Sequence, residues 1–125
     1  MGSKLPAEER PMPEDVSGWS IRFEGCAREG AECDAAHFAV VEEGRPPLPV
    51  EVRITAQIES ILAREMGMRE LTQQEREAIL SLAGRRLIDE CLRERGRVDP
   101  LLLLTSQIFR EPGAERRLLR DCGLI

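Results

Sequence analysis

The sequence has no tyrosine, one tryptophan, three phenylalanines, one histidine and one lysine. So few aromatics leave a core to be built from Leu, Ile, Val, Ala and Met. They also remove the exposed rings on which single-stranded bases stack. No apolar run exceeds four residues, Leu101–Leu104 among them, far short of the ~20 residues that cross a bilayer. The first residues lack the charged, apolar, small-residue order of a secretion signal. The expectation is therefore a cytoplasmic protein whose four cysteines are free thiols.

A cationic surplus is absent as well. The net charge is −5, with ten acids against five bases in residues 1–50 and thirteen of each in residues 51–125. Binding a duplex requires cations that displace counterions from phosphate. Nucleic acid is thus not the expected partner, and an Arg-mediated nucleic-acid binder stands as the weaker alternative. Seventeen of the eighteen basic residues are Arg, whose planar fork pairs with carboxylates, so a surface laced with ion pairs is expected.

What is present suits one domain. A chain of 125 residues with 42% hydrophobic and 33% charged residues can bury one core without staples. Residues 1–17 hold Pro6, Pro11 and Pro13 among charges and read as a flexible arm. Residues 18–125 form the domain. Trp19, Ile21 and Phe23 alternate with polar residues until Gly25, the period of a half-buried strand. His37–Val41 and Val50–Ile54 read as two more, with Pro46, Pro47 and Pro49 forcing an extended connection between them. An antiparallel meander with one wet face is the economical arrangement.

Helical signals follow. Thr55 is placed to cap a helix carrying Ile58, Ile61, Leu62 and Met66, with Gly67 as its stop. Thr72-Gln73-Gln74-Glu75 is a capping box. The helix it opens runs to about Gly96 with an apolar stripe of Leu80, Ala83, Leu87, Ile88, Cys91 and Leu92. Leu80 and Leu87 centre that stripe and are expected among the most buried residues. Leu101–Leu104 is ambiguous: Asp99-Pro100 opens helices, while a short apolar run also suits a buried strand. Pro112-Gly113 breaks the chain before a short helix over Ala114–Asp121. The fold class is α+β, a small antiparallel sheet of three or four strands packed by two amphipathic helices, with a short C-terminal helix.

Chemistry-bearing constellations are sparse. Cys26, Cys33 and His37 are soft ligands of the kind zinc takes. Six residues separate the two cysteines, however, where short-loop sites usually have two to four. The three define the alternative reading, a metal or thiol site, against the expectation of no metal. His37 has no adjacent nucleophile pattern, no Gly-rich phosphate cradle occurs, and neither catalytic nor cofactor residues are assigned. Arg116, Arg117 and Arg120 lie beside Leu118 and Leu119 on the C-terminal helix, and these five are the candidates for partner contact. A two-turn helix is marginal unless its apolar face is buried, so it must dock on its own domain, a second copy or a partner.

The stretch Ser20–Phe109 resembles a small bacterial family of conserved domains of unknown function. The points of resemblance are Ile21-Arg22-Phe23, Val52-Arg53-Ile54-Thr55 running into a helix, a long helix ending Arg95-Gly96-Arg97, and Leu103-Leu104-Thr105-Ser106-Gln107-Ile108-Phe109. The loop Cys26–Asp34 and the prolines at 46, 47 and 49 depart from that pattern. The resemblance implies a closing strand in the last segment, and an architecture with no activity attached. By subtraction, the expected function is a non-catalytic protein-interaction or regulatory module that binds another protein or its own copy.

Overall fold

The computed structural model describes residues 18–29 and 32–125, with side chains described outside residues 27–34. The expected arm, residues 1–17, and the Cys33 side chain lie outside the described residues. Strands β1 (Trp19–Glu29), β2 (Glu32–Glu42) and β3 (Leu48–Ile54) are followed by helices α1 (Ala56–Glu65) and α2 (Gln73–Arg95). Strand β4 (Leu101–Leu104), a 3-10 turn (Ser106–Ile108) and α3 (Ala114–Asp121) complete the chain. The class is α+β, as the residue patterns indicate.

The sheet order is β1-β2-β3-β4. β1 and β3 flank β2 in antiparallel register, but β4 joins β3 in parallel. This corrects the all-antiparallel expectation. Two antiparallel strands can be joined by a tight turn, whereas a parallel pair needs a crossover of a dozen or more residues. The helices α1 and α2, lying between β3 and β4 in the chain, are that crossover. β1 also runs beyond the glycine read as its end. Gly25 sits at φ +120°, and the pairing shifts register between Phe23 and Gly25. The glycine makes a bulge there, so the strand bends and continues.

One face of the sheet carries Ile21, Phe38, Val40, Val50, Val52 and Leu104, all buried against the helices. α2 lies closest. At Gly84 an added Cβ would sit 2.8 Å from Cε1 and Cζ of Phe38, so the missing side chain is what lets the helix approach the sheet. β1 is clamped to α2 by polar contacts. Trp19 Nε1 donates to Asp89 at 3.1 Å, Arg85 donates to the Ile21 carbonyl at 2.6 Å, and Arg93 bonds Asp89 while lying over the Trp19 ring. Along α2, Ile79, Leu80 and Ile88 are fully buried. Leu87 is only half-buried, a correction to its expected place, because it faces the gap between α2 and α3 while its neighbours face the sheet.

The helix starts follow their local chemistry. Thr55 Oγ1 accepts from the Ile58 amide and donates to the Leu104 carbonyl at 2.7 Å, so one hydroxyl ties α1 to β4. At α2 the capping box is complete. The Glu75 amide donates to Thr72 Oγ1 at 3.1 Å, and the Thr72 amide donates to Glu75 Oε1 at 2.8 Å. Arg69 adds two bonds to the same carboxylate. Those two bonds first, and then the Thr72 amide, hold the Glu75 carboxyl down at about 2, against an ordinary 4.5.

A folded-state value below the unfolded one stabilises the fold above pH ~4.5, and that stability is lost as pH falls toward 2. Glu75→Gln removes this dependence. Its denaturation midpoint should lie below that of the unmodified protein at pH 6, and the gap should shrink progressively between pH ~4.5 and 2. A gap that stays constant with pH would show that the carboxylate is not the stabilising group. Thr72→Ala should cost about 1 kcal/mol through the lost cap.

Candidate functional site

α3 docks on its own domain. Leu119 is fully buried and Leu118 nearly so, while Arg116 reaches Glu65 of α1 at 3.2 Å and Asp121 receives Arg86 of α2 at 2.7 Å. The chain reaches α3 from β4 through Ile108 and Phe109, and the turn at Pro112-Gly113 then sets the helix beside α2. A gap remains between the two helices and the connecting segment. It forms an open groove of about 620 Å³, within the size range of small recognition sites.

The floor of this groove is apolar: Ala83 and Leu87 from α2, Ile108 and Phe109 from the connection, Ala114 and Leu118 from α3. Its rim is charged with both signs, by Arg86, Glu90, Arg110, Glu111 and Arg117. The rim charges are engaged within the chain. Arg110 meets Glu90 at 3.3 Å and Arg117 meets Glu111 at 3.2 Å, all largely exposed. Exposed pairs of this kind contribute only ~0–1 kcal/mol, so an incoming charged group can replace either member at small cost. Among the described residues that line the groove there is no serine, threonine, cysteine or histidine. The lining therefore offers no hydroxyl, thiol or imidazole for covalent or proton-transfer work.

The residues singled out from the sequence are placed as follows. Of the five partner-contact candidates, Leu118 and Leu119 belong to the core, and Leu118 also forms part of the groove floor. Arg117 stands on the rim, Arg116 bridges to α1, and Arg120 is exposed on α3. His37 projects from β2 onto the sheet face that no helix covers, 3.5 Å from Glu51 of β3. Cys26 is disulfide-bonded, which corrects the expectation of four free thiols. Its sulfur is committed to that bond and is not a thiolate ligand. Cys91 and Cys122 are free. Burial pushes the Cys122 thiol up to about 11, so it is protonated and unreactive at neutral pH. Among the described residues no three of His, Cys, Asp or Glu gather as metal ligands. Likewise no described helix is long and apolar enough to cross a membrane.

Sequence reasoning missed Leu87, Ile108 and Phe109 as groove residues. The available signal was the pair Ile108-Phe109 just before the chain break at Pro112-Gly113. A bulky apolar pair in a connecting segment must be covered by something. In comparisons with protein-family models, curated proteins and solved structures, nothing matches this chain.

Proposed function

We propose that the chain is a small non-catalytic protein-interaction module whose contact site is the groove between α2 and α3. The observation that carries this reading is the combination of an apolar floor with a rim of replaceable ion pairs. Such a site suits a short amphipathic segment of another protein, with apolar side chains on Leu87, Ile108 and Phe109 and charges of both signs at its flanks. Apolar anchors at the centre and polar contacts at the edge are the usual division of labour in an interface.

Two other readings lose support. The metal reading needs the Cys26 thiolate, which the disulfide removes. The nucleic-acid reading needs a surplus of cations, whereas residues 51–125 hold thirteen acids against thirteen bases. We place the protein in the cytoplasm on the sequence reading, and the Cys26 disulfide weighs against that compartment. The groove reading holds in either, because no cysteine lines the groove.

Leu87→Glu tests the reading. The position is half-buried at the groove floor, so the charge faces the occupant more than the core. A partner captured by the unmodified protein should be lost with Leu87→Glu and weakened about tenfold by Arg110→Glu on the rim, with the thermal midpoint of Arg110→Glu unchanged. Capture that persists in both variants contradicts the groove as the contact site.

A further inference from the structure

Residues 1–17 precede Gly18, whose φ of +88° leads the chain into β1. β1 begins with Trp19, whose indole is bonded to Asp89 of α2 and lies under Arg93. Glu90, on the groove rim, follows Asp89 directly, and Arg86, also on the rim, stands one turn earlier. The arm therefore joins the domain against the same helix that forms one wall of the groove. From that junction to the groove is about 10–12 Å, the width of a helix.

We propose that the chain's own arm, through Pro11-Met12-Pro13, is the occupant of the groove in the isolated chain, and that a partner must displace it. The competition rests on the groove being the contact site, whereas the seating of the arm does not.

The length of the arm and the place where it ends favour the groove over the other exposed apolar surface. Seven residue steps separate Met12 from Trp19 and span up to about 25 Å, twice the distance needed. The exposed leucines of β4, Leu101 and Leu103, lie at the far corner of the sheet. Leu101 ends the row Gly25-His37-Glu51-Leu101. That row is about 20 Å along β1 from Trp19, and Leu101 is a further ~14 Å across the strands. Met12 would reach it only with the chain fully stretched.

The segment also suits walls made of helices. Along most of their length α2 and α3 use their backbone groups internally, so an occupant meets side chains. Pro11 and Pro13 bring no N–H to satisfy, and their fixed φ lowers the entropy lost on docking. Met12 between them carries an unbranched thioether, which fits an irregular apolar floor and packs well on an aromatic ring such as Phe109. Attachment to the domain supplies the rest. An arm at an effective concentration of about 1 mM, with an intrinsic dissociation constant of about 0.1 mM, leaves the groove open about one part in ten.

Two measurements on the full chain test this, and neither needs the partner. A benzoyl-phenylalanine at Met12 should crosslink, within a single chain, to peptides holding Leu87 or Phe109. Leu87→Glu should abolish that product while keeping a cooperative melt. A fluorescent peptide of residues 4–17, followed by anisotropy, should bind the Met12→Glu chain about tenfold more tightly than the unmodified chain, the factor by which the arm closes the groove. Met12 lies outside every described element, so its substitution leaves the domain intact. Crosslinks to β4 or to a second copy overturn the proposal, as does equal peptide affinity for the two chains. Partner capture that ignores Leu87→Glu, with the Met12 crosslink in place, would overturn the groove as partner site and uphold the seated arm. Capture lost in Leu87→Glu, with no Met12 crosslink to the groove, would overturn the seated arm alone.

Discussion

Gly84→Ala should lower the thermal midpoint, opposite to the usual effect of that change inside a helix. Replacing a mid-helix glycine with alanine ordinarily gains about 1 kcal/mol, since alanine has less backbone freedom to lose. Here the new methyl would stand 2.8 Å from two atoms of the Phe38 ring and 3.4 Å from Cβ of Val52. The ring has nowhere to go. Phe38 is 1% exposed, and its centroid lies 5.5 Å from that of Phe23 in a tilted pair. Either α2 lifts from the sheet or Phe38 leaves its rotamer, and overpacking of this kind costs roughly 1–3 kcal/mol. Gly84→Val should cost more. Phe38→Leu vacates the outer ring atoms, so it should be less damaging in a Gly84→Ala background than alone. A raised midpoint for Gly84→Ala would show that α2 does not approach the sheet this closely.

Truncating Leu119 to Ala should cost roughly 2–5 kcal/mol, the range for a fully buried leucine. For a domain of this size that lowers the midpoint by about 10 °C or more. Arg120→Ala, one residue on and exposed, should change stability by no more than about 0.5 kcal/mol. Deleting residues 114–125 removes Leu118 together with Leu119 and unroofs the groove. That deletion should take most of a typical domain's 5–15 kcal/mol and abolish cooperative melting. A truncated chain that melts like its parent would mean that α3 contributes nothing to the core.

The residues that announced themselves did so through local chemistry. Thr72 and Glu75 form the capping box their spacing requires, and Gly96 ends α2 in the left-handed conformation at φ 72°. Trp19, Ile21 and Phe23 alternate as a strand must. What stayed hidden depends on partners far away in the chain. Four leucines in a row have no period, and Leu101–Leu104 became a strand because the backbone of β3 accepts and donates there. Its parallel direction follows from the two helices that carry the chain back, not from any residue within it. Leu87 lies on the same stripe as Leu80, but a stripe broad enough to face both a sheet and a neighbouring helix does not say which residue meets which. Nothing in the sequence marks Gly84 for a close approach, which only the Phe38 ring opposite it explains. The groove was least legible of all, since its floor is assembled from α2, α3 and the segment between β4 and α3, far apart in the sequence.

The central claim is that this chain works by contact through the groove between α2 and α3. Photo-crosslinking from that groove tests it most directly. A benzoyl-phenylalanine introduced at Phe109 sits on the apolar floor, and the same group introduced at Ser20 on the uncovered sheet face serves as the control. The account predicts that illumination in cells joins the Phe109 probe to one discrete protein, that Leu87→Glu abolishes the product, and that the Ser20 probe does not give it. Crosslinks of equal yield from both positions, or a Phe109 product that Leu87→Glu leaves intact, would contradict it.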